Sequence, residues 1–160
     1  MHAAIIFGSK SDTTTMKKAA KVLRDFDVPF SAHVLSAHRV PELLKETLAK
    51  LEAQGTEVII AGAGLAAHLP GVIASLTTIP VIGVPLNAGS LSGLDALLSI
   101  VQMPKQIPVA TVGVDNAANA AYLACQILSI KYPELKEKVS AFRTKMKADF
   151  AAENAEGVNL

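Results

Sequence analysis

Cysteine is almost absent: Cys125 is the only one in 160 residues. A single thiol cannot build a disulfide framework within one chain or a thiolate metal cluster. Tryptophan is missing and aromatic residues make up 4% of the chain. The core is therefore expected to consist of Ala, Val, Ile and Leu, and few rings are at hand to stack on a flavin. An excess of one charge is missing too. The 15 Lys and Arg against 14 Asp and Glu leave a net charge of +1, which gives no electrostatic footprint for nucleic acid or an anionic membrane. No apolar run reaches the ~18 to 20 residues of a membrane span. The opening residues, Met1 to Phe7, hold no basic leader followed by a cleavage site. No His, Asp or Glu cluster has metal-ligand spacing, which argues against a metal-dependent mechanism. The expectation is a soluble, cytoplasmic protein with no metal and no membrane or nucleic-acid partner.

What is present is apolar residue, 51% of the chain, enough for a core of ordinary size in a single domain. Short apolar runs at residues 3–7, 30–35, 57–61, 81–84 and 108–112 have strand length, and most are continuous rather than alternating, as strands buried on both faces are. Amphipathic stretches separate them. Residues 13–26 place Met16, Ala19, Ala20, Leu23 and Phe26 on one face, with Asp12 as a candidate N-cap. A second helix opens at Pro41, a favoured first helical residue, and ends before Gly55. Others are expected at 66–76, 92–102 and 116–130. Five strands with helical crossovers imply an α/β fold: a flavodoxin-like three-layer sandwich around a parallel sheet of order 2-1-3-4-5. Ligands bind beyond the carboxyl ends of such strands, which directs attention to the loops 8–12, 36–40, 62–65 and 85–91.

After residue 132 the pattern changes. Leu135, Val139, Phe142, Met146 and Phe150 form one stripe on an extra C-terminal helix that the sheet unit does not need. A solvated stripe of that size is unfavourable. The division is therefore a sheet domain over 1–132 and a tail over 133–160, the tail helix packing on a neighbouring subunit in preference to its own domain. Residues near 155–160 are expected to fray.

Three loops carry side chains with chemistry. Gly8-Ser9-Lys10-Ser11-Asp12 opens the first helix, where backbone N–H groups and two hydroxyls suit an anion. Asp12 suits sugar hydroxyls better than phosphate, and the whole string could also be a simple cap. Ser36-Ala37-His38-Arg39 follows the second strand. Arg39 is a fixed cation for phosphate, and His38 can take and return a proton near neutral pH. Gly62-Ala63-Gly64-Leu65-Ala66-Ala67 nearly matches a dinucleotide fingerprint. It follows the wrong strand, however, and lacks the acidic ribose partner. Its glycines more simply let backbone approach a ligand. His68 follows, either as a buried structural residue or as a wall of the site. Ser92 and Asp95 are read as helix-start residues, and His2 and His33 as structural.

Taken in order, these strings, with Ala66-Ala67-His68-Leu69-Pro70-Gly71, Ser92-Gly93-Leu94-Asp95 through Gln102-Met103-Pro104, and Asn116-Ala117-Ala118-Asn119-Ala120, give the chain a specific likeness. It resembles the PurE family from about residue 3 to 130. The resemblance implies a flavodoxin-like fold and a homo-octamer with C-terminal helices on neighbours. It also implies transfer of carboxylate from the exocyclic N5 of an aminoimidazole ribonucleotide to ring C4, through carbon dioxide and with no cofactor. Carried over by motif, Ser9, Ser11, Ser36 and Arg39 hold the phosphate region and Asp12 the ribose. His38 is the general acid and base. The small-residue loop with Ala63, Gly64 and Ala67, together with His68, encloses base and carboxylate, and Ala37 and Leu69 complete the wall. Leu65 and Asp115 stand where the family usually has glycine. Direct carboxylation of the free ribonucleotide with carbon dioxide is the first rival, and a non-catalytic flavodoxin-like module binding a flavin phosphate is the second.

Overall fold

Alternation along the first strand determines how the sheet is covered. Ala3, Ile5 and Phe7 join one apolar cluster, while Ala4 and Ile6 join another on the opposite face, as the two-residue repeat of a strand requires. The computed structural model describes residues 1–157. Among these, β1 (Ala3–Phe7), β2 (Phe30–Val34), β3 (Val58–Gly64), β4 (Val81–Leu86) and β5 (Ala110–Thr111) form one sheet of order 2-1-3-4-5. All four neighbouring pairs are parallel. The fold expected from the sequence is the fold observed.

The helices are α1 (Thr13–Asp25), α2 (Pro41–Ala53), α3 (Leu69–Leu76), α4 (Leu94–Val101), α5 (Ala117–Ser129) and α6 (Pro133–Glu156). Met16 and Leu23 of α1 and Ala120, Ala124 and Leu128 of α5 cover one face of the sheet. Leu44, Leu48 and Leu51 of α2, Ile73 of α3 and Ile100 of α4 cover the other. With scarcely an aromatic ring inside, the layers are close-packed aliphatic surface, and the alanine face of α5 lets it lie close to α1.

Several boundaries differ from the sequence reading. β3 runs on to Gly64, and β4 includes Pro85 and Leu86, so most of the expected 62–65 loop is strand. The glycines there answer packing: a Cβ on Gly62 would lie 2.5 Å from Met16 Sδ, and one on Gly64 2.9 Å from the Ala88 Cβ. β5 shrinks to two residues, because Pro108 has no N–H to give the ladder. α3 starts at Leu69 instead of residue 66, since the chain first makes a turn in which Leu65 and Ala67 both have positive φ. Asp12 makes no side-chain cap to α1, and Ser92 none to α4; Ser92 is itself left-handed and Gly93 occupies the cap position.

The C-terminal stripe divides in two. Leu135 is buried, whereas Phe150 is 68% exposed. Phe142 stacks on Tyr122 at 5.0 Å and meets Phe26 edge-on. Arg143 and Met146 still line a hollow against Phe26 and Tyr122, and beyond them α6 runs out from the body of the chain with Phe150 exposed. It continues as helix through residue 156, and the remaining residues of the expected frayed end, 158–160, lie outside those described.

Candidate active site

The carboxyl ends of β1, β2, β3 and β4 open onto one cavity of about 560 Å³. That size falls within the range that holds a small-molecule ligand. Its place beside the junction of β1 and β3, where strand order reverses, is the one that doubly wound sheets offer to ligands.

After β1 the chain makes a single 3₁₀ turn, Lys10–Asp12, closed by a capping box. The Ser9 N–H donates to Asp12 Oδ2 at 3.1 Å, and the Ser11 N–H donates to Ser9 Oγ at 3.4 Å. The Ser11 hydroxyl lies 2.9 Å from Ser9 Oγ and 3.1 Å from Asp12 Oδ1. Its one proton can serve only one of them at a time, so the group can re-aim toward a ligand at little cost. Asp12 thus holds the loop in shape with one oxygen and faces the cavity as a half-buried carboxylate.

After β2 the Val40 N–H closes a turn on the Ser36 carbonyl at 3.0 Å. The turn presents Ser36, Ala37, His38 and Arg39 to the same cavity. Arg39 Nη2 donates to the Gly8 carbonyl at 2.8 Å, which ties this loop to the β1 loop. A guanidinium has five N–H donors, so its charge remains available beside the two serines.

After β3 a second turn, with the Ala67 N–H on the Gly64 carbonyl at 3.1 Å, leads into α3. His68 takes the N-cap position there but makes no side-chain cap bond. Its ring is turned to His38 instead: the rings meet edge-on with centroids 4.7 Å apart, and His38 Nε2 is hydrogen-bonded to His68 Nδ1. One ring nitrogen must hold the proton and the other the lone pair, so the contact fixes complementary tautomers whenever both rings are neutral. Ala63, Gly64, Ala67 and Leu69 line the small-residue side.

Every residue singled out in the sequence for this site lies on the wall of this one cavity. Gly8, Leu65 and Ala66, which belong to the strings read from the sequence, line it as well, and so does Ala88, which was not singled out. Ala88 comes from the loop after β4, which the strand-end rule flags without saying which residue faces inward. His2 and His33 lie elsewhere. His2 Nδ1 pairs with Thr56 Oγ1 at 3.0 Å, and His33 Nε2 with Ser31 Oγ at 3.1 Å. Burial, with His2 adding a smaller push, lowers the pKa of His33 below the ordinary histidine value. Burial also pushes the Cys125 thiol up to about 11, so it is not a nucleophile at neutral pH. Among the described residues no three His, Cys, Asp or Glu side chains gather to hold a metal ion. No helix among them is long and apolar enough to cross a membrane.

A family model described as AIR carboxylase matches residues 2–149. An N5-carboxyaminoimidazole ribonucleotide mutase of Pyrococcus abyssi is 64% identical over 89% of this chain and 82% of its own. The protein of the same name from Saccharolobus solfataricus is 53% identical over 91% and 92%. A crystal structure of Treponema denticola PurE superposes with a TM-score of 0.91 at 26% identity, covering 99% of both chains. With the motifs in order, the sheet in the same order and the match running from β1 into α6, the chain belongs to the AIR carboxylase family, the PurE family.

Proposed function

We propose that the chain is an N5-carboxyaminoimidazole ribonucleotide mutase of purine biosynthesis, with His38 as its proton carrier. The observation that carries this reading is the position of His38. It stands in one cavity between an anion-type loop with Arg39 beside it and a wall of alanines and glycine. The phosphate lies against Ser9, Ser11, Ser36 and Arg39, and the ribose hydroxyls donate to Asp12. This places the heterocycle toward His38 and His68.

The chemistry then balances over one imidazole. The N5–carboxylate bond breaks, its electron pair stays on nitrogen, and protonated His38 supplies the proton that makes the free amine. The released carbon dioxide is attacked by ring C4. The C4 proton returns to His38, and 4-carboxyaminoimidazole ribonucleotide results. An imidazole suits both transfers because one ring nitrogen can carry either the proton or the lone pair. The buried Ala63 and Ala67 give the intermediate gas an apolar corner of the cavity. The same reading has the chain act in the cytoplasm as a homo-octamer.

Parallel assays with two substrates test it. The N5-carboxylated ribonucleotide is expected to be converted with no added carbon dioxide. Free aminoimidazole ribonucleotide supplied with bicarbonate is expected to react poorly. The opposite result makes the chain a direct carboxylase, and failure with both substrates removes the reaction altogether.

A further inference from the structure

We propose that Leu65 is a specificity-determining residue that holds the released carbon dioxide inside the cavity and keeps bulk carbon dioxide and bicarbonate out; the proposal rests on the functional reading above. Leu65 lies at the first central position of the Gly64–Ala67 turn with φ of +56°, a backbone state that glycine adopts freely and a bulky side chain does not. Such strain is normally offset by packing. Here the side chain is 55% exposed, so core burial does not account for it. Strain held in place at the wall of a cavity points to function.

The direction of the side chain says which function. Leu65 Cδ2 lies 2.8 Å from the point where a Cβ on Gly89 would stand. Its tip therefore rests on the backbone of the loop after β4, beside Ala88 on the cavity wall. The isobutyl group spans the exits of β3 and β4 like a bar, and it does so on the apolar side of the cavity, opposite the serines and Arg39. An uncharged linear gas is retained by such a wall, while bicarbonate, which would have to shed water from its charge, is turned away. Once the N5–carboxylate bond has broken, gas that escapes leaves the free ribonucleotide as a dead-end product. The bar favours recapture by C4 over that loss.

The test follows the label. The full chain converts the N5-carboxylated ribonucleotide in buffer containing ¹³C-bicarbonate and its dissolved gas, and mass spectrometry reads two ratios: labelled to unlabelled product, and free ribonucleotide to product. The label ratio does not depend on how much of a variant is folded, and the free-ribonucleotide ratio is compared at matched rates of product formation, with spontaneous decarboxylation subtracted from an enzyme-free control. The wild type is expected to give mostly unlabelled product. Leu65→Gly, which removes bar and strain together, and Leu65→Ala, which removes only the bar, are both expected to raise the two ratios on the order of tenfold. Leu65→Met, which keeps an apolar side chain of similar length, is expected to stay near the wild type. Wild-type ratios in Leu65→Gly, or a wild type already exchanging freely with the buffer, overturn the proposal while leaving the functional reading intact. Leakage in Leu65→Ala alone assigns the effect to strain and overturns it too. A wild type that makes no carboxylated product refutes the functional reading and this inference with it.

Discussion

His38 and Arg39 are adjacent in sequence, yet the turn after β2 gives them different partners: one ring nitrogen of His68 and the Gly8 carbonyl. Their substitutions should therefore separate kinetically. His38→Asn is expected to bind the ribonucleotide as before and lose ~10² to 10⁴-fold in turnover, the usual worth of a general acid–base group. Calorimetry beside steady-state rates checks this, and near-normal turnover refutes the role. Arg39→Ala should mainly raise KM, because a fixed cation beside the anion loop acts on ground and transition states alike. Asp115, like Leu65, has a positive φ, +56°. Aspartate tolerates that region better than most residues, and here Asp115 Oδ1 accepts from the Asn87 N–H at 2.9 Å. Both Asp115→Gly and Asp115→Ala lose that bond, but only alanine keeps the strain. The alanine variant should be the less stable of the two by about 1 kcal/mol, read from urea midpoints; equal midpoints would show that the backbone there is unstrained.

At the scale of elements, the join between α5 and α6 is fastened to the start of β3. Glu57 takes Lys131 as an ion pair, and the Tyr132 hydroxyl donates to Glu57 Oε2 at 2.8 Å. The hydrogen bond from Lys131, helped by Tyr132 and opposed by partial burial, holds the Glu57 carboxyl below its ordinary value. A depressed carboxyl stabilises the fold fully above its unfolded value of about 4.3, and the contribution disappears as pH falls through the folded value. Tyr132→Phe should cost about 1 kcal/mol at neutral pH. The difference from wild type should shrink as Glu57 protonates; a cost that does not change between pH 7 and pH 3 would rule out the carboxylate as the partner. Elements were legible in unequal measure. β1 and α2 read cleanly because a continuous apolar run and a proline start are local signals. The ends of β3 and β4 did not, because glycine and proline near a strand end read as turn. Only the approach of Met16 and Ala88 explains why glycine is needed within an extended strand.

At the scale of the whole molecule, α6 carries the assembly proposal. Its first half packs on its own chain through Leu135, Val139 and Phe142, while its outer half carries the partly exposed Met146 and the exposed Phe150. An octamer that depends on this face should break into smaller species when Met146 and Phe150 are both changed to Asp. Leu135, Phe142 and the local fold would remain in place. Sedimentation velocity reads the mass, and circular dichroism checks that the helix content survives. An unchanged mass would move the interface elsewhere.

The sequence by itself determined the fold class, the order of elements, and the loops that carry the serines, histidines and arginine. Each of these follows from periodicity, length and residue chemistry within a short window. Tertiary structure alone decided that four loops share one cavity, that His38 and His68 touch across 30 residues of chain, and that Leu65 spans two strand exits. Those outcomes depend on strand register and on how closely helices press on the sheet, which are long-range packing properties that no local stretch of residues encodes.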